Sequence, residues 1–292
     1  MKANRREQID WLLKQLFKAT GLATILLLAG IFLMLLGNSI SFFLQIKPID
    51  FLTGSQWNPD TNYCIWPLVI STTFVAFGSM LLAVPLGILT AAFLSEFAPR
   101  RLHMLLKPLI EMLASIPSVA IGFLGIVLVG PNLSKLFGIA NGLNALNGSI
   151  LLAIMSLPTI ITISEEAISA VPQSHREASL ALGATRWQTL YQVTLPAALP
   201  GLIAAVMLGL GRALGETMTV LMATGNVSAT PKNFLDSVRT ITATIAIEMG
   251  EVPYQTTHYF ALFAIAIILF GMTLTANLVG EYFANRLRKF QS

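Results

Sequence analysis

An all-α membrane protein with about six transmembrane helices and both termini in the cytoplasm is the fold class predicted for this 292-residue chain. Three observations predict it: an apolar composition, six runs long enough to span a bilayer, and a one-sided distribution of Lys and Arg. Hydrophobic residues make up 55% of the chain and charged residues 11%, with a mean hydropathy of +0.73. Ordinary soluble domains carry about 25% charged residues. So few charges cannot cover a soluble globule, and so many apolar residues exclude a disordered chain. The single cysteine, Cys64, excludes a disulfide scaffold.

A helix needs about 20 mostly apolar residues to cross the hydrocarbon core. Six stretches qualify: Thr20 to Ile46, Ile65 to Leu94, Leu105 to Val129, Gly148 to Val171, Ala197 to Thr224 and Tyr259 to Phe283. Several are long enough to tilt or to extend past the bilayer. One side of these spans carries thirteen of the eighteen Lys and Arg residues. They are Lys2, Arg5, Arg6, Lys14 and Lys18 in the N-terminal arm, and Arg100, Arg101 and Lys107 in the second connection. Arg176 and Arg186 follow in the fourth, and Arg286, Arg288 and Lys289 at the C-terminus. The other side has Lys47, Lys135, Lys232 and Arg239, and Arg212 lies inside the fifth span. The excess of positive charge places both termini in the cytoplasm. The net charge of +4 and the pI of about 9.3 therefore report orientation and no nucleic-acid partner.

The first apolar run is too long for a signal-peptide core and lacks a small-x-small cleavage site. Before it, Ile9, Leu12, Leu13, Leu16 and Phe17 fall at helical spacing, with Lys14 and Lys18 off that stripe. This pattern suits an amphipathic helix on the membrane surface; a plain extension of the first span suits it equally. The expected organisation is a basic arm at 1–19, a first span with its outer loop at 20–64, a transmembrane domain at 65–285 and a basic tail at 286–292.

The fourth connection, Pro172 to Pro196, is expected to form two short helices. The first starts near Pro172, a favoured first-turn residue. It ends at Gly183, which can adopt the left-handed conformation of a helix stop. The second, Ala184 to Tyr191, leads into the membrane at Leu195-Pro196. Together they make a compact knob.

In the fifth span, Arg212 and Glu216 are four residues apart, so on a continuous helix they share a face and can pair. Each such charge at the bilayer centre opposes insertion by about 2.5–3.5 kcal/mol. Gly209, Gly211 and Gly215 remove side chains nearby, which permits close helix approach or access of a ligand to the backbone. One reading is an anion path, with Arg212 meeting the anion through its planar fork and Glu216 holding the guanidinium. The other is a self-satisfied structural ion pair.

The knob resembles the EAA loop of binding-protein-dependent ABC transporter permeases. Glu177, Ala178, Gly183, Leu195 and Pro196 match its pattern, with Ser179 in place of the second Ala and Val193 in place of Ile. The resemblance implies a type I ABC importer permease fold. Its knob, here with Glu177, Ala178, Gly183, Ala184, Arg186, Leu195 and Pro196, docks on a separate ATPase subunit. No G-x-x-x-x-G-K-[ST] motif occurs in the chain. The chain is then no enzyme and binds no cofactor, and ATP and Mg belong to the ATPase partner.

The run Gly-Leu-Gly-Arg-Ala-Leu-Gly-Glu-Thr-Met ending at Met218 is similar to the phosphate-specific (Pst) ABC permeases. Gly211, Met218 and Gly225-Asn226 favour the PstC type over its PstA partner. Ile116 to Phe123 resembles the third-span motif I-P-S-V-V-Y-G-F of the same family through Pro117, Ser118 and Gly122; Ile121 stands where Tyr is frequent. For Pro117 alone, a simple helix kink is an equal reading. The resemblance implies a phosphate path that includes Arg212, Glu216, Gly211, Gly215 and Thr217. The implied partners are a PstA-like second permease, a PstB-like ATPase pair and a periplasmic or lipid-anchored PstS-like phosphate-binding protein. The implied location is the cytoplasmic (inner) membrane of a bacterium or archaeon.

Weaker signals remain. Glu165 and Glu166 read mainly as solvated charges at a membrane exit, with an inner gate as the alternative. Within the connection from Asn226 to His258, Phe234, Val238, Ile241 and Ile245 suggest a short surface or re-entrant helix. His103, His175 and His258 lack metal-ligand spacing, and Cys64 reads as a packing residue. The competing functions are a permease for another oxyanion, such as molybdate or sulfate, and an ATP-independent secondary transporter or channel.

Overall fold

The computed structural model describes residues 2–53, 56–59 and 62–291, with side chains described throughout except at 2–9 and 288–291. The side chains of Lys2, Arg5, Arg6, Ile9, Arg288 and Lys289 thus lie outside the described residues. Among the described residues, six helical stretches are long and apolar enough to cross a membrane.

Helix α1 runs without interruption over Lys2–Phe43. The arm and the first span are therefore one helix with no turn between them, as in the plain-extension reading. A short helix α2 (Pro48–Thr53) and a small antiparallel hairpin follow, with β1 (Trp57–Asn58) paired to β2 (Asn62–Tyr63) in the register Trp57↔Tyr63. Phe42, Phe51 and Trp57 bury themselves against the start of the last span, closing one end of the bundle.

Helix α3 (Trp66–Glu96) is the second span and begins on Pro67, which needs no N–H partner in the first turn. The next expected span, Leu105 to Val129, is not one element. Helix α4 (Arg100–Ala114) stops at Ser115, and α5 (Ser118–Leu124) starts after Pro117. A proline disfavours helical backbone in the residue before it, and Pro117 itself is extended (φ −58, ψ 136). The membrane stretch proper is Ser118–Phe137: α5, a π-helical turn at Gly125–Val129, and α6 (Gly130–Phe137). The apolar residues of α4 lie on one side of a helix that buries none of them in this chain.

Helix α7 (Ala145–Ser169) is the most buried span, capped at its start by Asn144 accepting from the Asn147 N–H at 3.0 Å. The knob follows as α8 (Gln173–Ala181) and α9 (Arg186–Thr189). Gly183 between them has φ +87, the left-handed stop expected there. The second knob helix differs from expectation. It passes directly through a π-helical turn (Leu190–Thr194) into α10 (Leu195–Gly215), so the knob and the fifth span share one continuous helical stretch, Arg186–Gly215. The widened turn lies where Pro196 cannot supply its N–H to the ladder.

Helix α11 (Met218–Ala223) and α12 (Ile241–Glu248) precede the last span, α13 (Thr257–Gln291). The expected helix in the 226–258 connection is thus present, but Phe234 and Val238 lie ahead of it in irregular chain. The core is the packing of α3, α7 and α10. Ile160 of α7 sits so close to Gly87 and Gly209 that a Cβ at either glycine would come within 2.6–2.7 Å of its side chain. Small residues let helix backbones approach in this way.

Candidate functional site

The third and fifth spans expected from sequence are both interrupted, at 115–117 and 216–217, and the interruptions meet. Helix α10 ends at Gly215, Glu216 is extended (φ −70, ψ 133), and α11 begins only at Met218. Thr219, fully buried, lies 3.1 Å from the carbonyl oxygen of Ser118 through its Oγ1, and 3.3 Å from Glu216 Oε1. Its N–H also donates to Glu216 Oε1 at 3.3 Å. Gly122 brings α5 onto α11, since a Cβ there would lie 2.9 Å from the Met222 sulfur. Pro117, Ser118 and Gly122 are thereby brought to the same place as Glu216 and Thr217, although about a hundred residues separate them. Non-helical backbone at membrane depth persists where it is buried in protein or lines a cavity.

The expected Arg212–Glu216 pair does not form. The helix that would place both on one face stops between them, and the Glu216 carboxylate turns to Thr219 instead. The Glu216 carbonyl accepts from Thr242 Oγ1 at 2.7 Å, which ties α12 to the break. Arg212, half-buried in the last turn of α10, has no hydrogen bond or ion pair with any described residue. The glycines around it have separate reasons. Gly209 makes room for Ile160, whereas Gly215 has nothing within 4 Å of a Cβ and Gly211 only Asn277 Oδ1 at 3.8 Å. Arg212 is therefore flanked by open space. It lines neither the apolar cavity of about 350 Å³ between α3, α10 and α13 nor the larger one beside the knob. An unpaired guanidinium beside open space can take an anion through its planar fork.

The knob exposes Glu177-side residues of α8 and the first turn of α9, including Arg186 and, at 90% exposure, Leu182. Thr185 caps α9 in a reciprocal box with Gln188. Ala178, Gly183, Ala184, Leu195 and Pro196 all fall in the knob or at its junction with α10.

Two carboxylates behave differently from their sequence reading or escaped it. Glu165 is buried and accepts from His103 Nε2 at 2.7 Å, with Lys107 Nζ at 3.4 Å, so it is no solvated exit charge. Glu166 is exposed, as expected. Glu248, also buried, receives Trp57 Nε1 (3.0 Å), Arg239 Nη1 (3.0 Å) and His258 Nε2 (2.8 Å). These contacts had no local signal: Thr219 reaches Ser118, Glu165 reaches His103 and Lys107, and Glu248 reaches Trp57 across 58 to 191 residues, and the nearer partners Arg239 and His258 meet Glu248 only through the fold. No group of three His, Cys, Asp or Glu suited to a metal occurs among the described residues.

Residues 83–289 match the family described as "Binding-protein-dependent transport system inner membrane component". The chain is 39% identical over 244 residues to the probable ABC transporter permease protein YqgH of Bacillus subtilis, covering 82% of this chain and 79% of that protein. It is 31% identical to the phosphate transport system permease protein PstC of Mesorhizobium japonicum, covering 92% and 88%. Its fold is shared with the MetNI methionine ABC transporter in an inward-facing form (TM-score 0.60, 21% identity, 76% and 97% covered). It is shared also with a bacterial ABC transporter for import of alginate (TM-score 0.65, 17% identity, 98% and 99% covered). The six spans, the knob and these likenesses lead to one conclusion: the chain belongs to the binding-protein-dependent transport inner-membrane family, as a permease subunit of a type I ABC importer.

Proposed function

We propose that this permease subunit carries inorganic phosphate inward, with Arg212 in the substrate path. The observation that carries the reading is the half-buried, unpaired Arg212 beside the meeting point of two broken helices. The likeness to relatives named as phosphate transport permeases supports phosphate over other oxyanions. In this reading Glu216 shapes the break and leaves Arg212 free for the anion. Gly211, Gly215 and Thr217 keep the approach open.

The knob docks on a separate ATPase pair, PstB-like, which binds the ATP and Mg; a PstA-like permease completes the pore. A PstS-like phosphate-binding protein delivers substrate at the end closed by α2 and the hairpin. The subunit sits in the cytoplasmic membrane with both termini in the cytoplasm, as the distribution of Lys and Arg supports.

The test is uptake of radiolabelled phosphate by the assembled complex carrying Arg212→Gln. Uptake is expected to fall to background while the companion subunits still co-purify. Normal phosphate uptake by this variant sinks the site assignment. Competition by molybdate or sulfate as strong as by phosphate itself sinks the substrate assignment.

A further inference from the structure

Away from the helix break, one charged cluster fastens the knob to α3. Glu96 is the last residue of α3, and Arg176 lies in α8. Arg176 Nε is 2.9 Å from Glu96 Oε1, and both atoms are shut off from water. The N–H does not align with the oxygen, so the contact is ionic. Nη2 of the same guanidinium donates to the Ile168 carbonyl at 2.7 Å, in the last turn of α7. A second contact lies beside it: Phe97 packs on Trp187 of α9 with ring centroids 5.9 Å apart. The two knob helices are joined by a 3.0 Å hydroxyl contact between Ser179 and Thr189.

We propose that the Glu96–Arg176 pair is the strut that passes a displacement of the knob to α3, with Arg176 a positioning residue rather than a docking one. This rests on the reading of the knob as the seat of an ATPase. An aromatic contact can slide, whereas a guanidinium held at once by a carboxylate and a helix-terminal carbonyl has a fixed direction. The strut has somewhere to lead. Thr72, in the first turns of α3, accepts the Ile241 N–H through its Oγ1 at 3.0 Å, and the adjacent Thr242 holds the Glu216 carbonyl. A shift of α3 is therefore felt at the break in the fifth span.

Glu96→Gln keeps the size of the side chain and removes its charge. The complex with its companion permease and ATPase subunits is reconstituted in vesicles with phosphate-loaded binding protein, and uptake and ATP hydrolysis are measured together. Phosphate moved per ATP is expected to fall about fivefold or more, the lower end of ordinary coupling between sites, with ATP hydrolysis and assembly kept. An unchanged ratio overturns the strut. If Glu96→Gln does not assemble, Arg176→Lys keeps the charge and loses the fork, and a wild-type ratio in that variant overturns it equally.

A second readout does not depend on the transported ion. Spin labels on Leu182→Cys in the knob and Leu81→Cys on α3, both exposed, are expected to hold their separation through the ATP cycle and to lose that constancy in Glu96→Gln. Identical behaviour in the two proteins overturns the strut, whereas a wild-type complex that moves no phosphate overturns only the phosphate reading.

Discussion

The charges at the two ends of the helix bundle and the charge inside it are treated in opposite ways. Glu248 at one end is 8% exposed and is held by an indole, a guanidinium and an imidazole. Glu165 towards the knob is 5% exposed and is held by His103 and Lys107. Arg212, in the fifth span, is held by none of the described residues. A buried charge left alone costs several kcal/mol, so proteins ordinarily pair it. The end carboxylates follow that rule and serve the fold. The exception, the half-buried Arg212, is the residue that our proposal gives to the anion.

This contrast can be tested by removing each charge in turn and measuring thermal unfolding of the purified protein in detergent. Glu248→Ala is expected to cost most, about 3–5 kcal/mol, because it strands the buried Trp57 N–H and takes the carboxylate from Arg239 and His258, which are only about one-fifth exposed. Glu165→Ala is expected to cost less, about 1–3 kcal/mol, since His103 and Lys107 are each one-third exposed and can turn to water. Arg212→Gln is expected to cost nothing beyond about 0.5 kcal/mol, the ordinary scatter of substitutions that break no partner. A loss at Arg212 as large as that at Glu165 would break the comparison and return Arg212 to a structural role.

Much of this architecture is legible in the sequence because hydropathy sums over 20 residues are insensitive to detail. The second, fourth and sixth spans start and end within a few residues of expectation, apart from the longer C-terminal end of α13. The stop at Gly183 is legible for a different reason, since a glycine between two polar helical stretches has few other uses. The same insensitivity hides the break in the fifth span. Residues on both sides of Glu216 are apolar, and a change of ψ at one residue leaves the hydropathy sum untouched. Pro117 carried a usable signal, yet the apolar residues of α4 merged with those of α5 in the window. The partners of Glu165 lie 58 and 62 residues away, and no local pattern announces such a distance. Arg212 itself stood out from sequence, but its lack of a partner depends on where a helix stops.

The uninterrupted stretch from α9 through α10 also has a mechanical meaning. Arg186 on the knob and Arg212 at the far end are separated by roughly 40 Å of helix at 1.5 Å per residue. A rod of that length turns small rotations into useful travel: tilting it by about 5° about its knob end swings the far end by about 3 Å, the length of a hydrogen bond. The Arg212 guanidinium rides on that far end. Its grip on an anion would then be set by leverage, with the axis near the knob and the work delivered where the helix runs out.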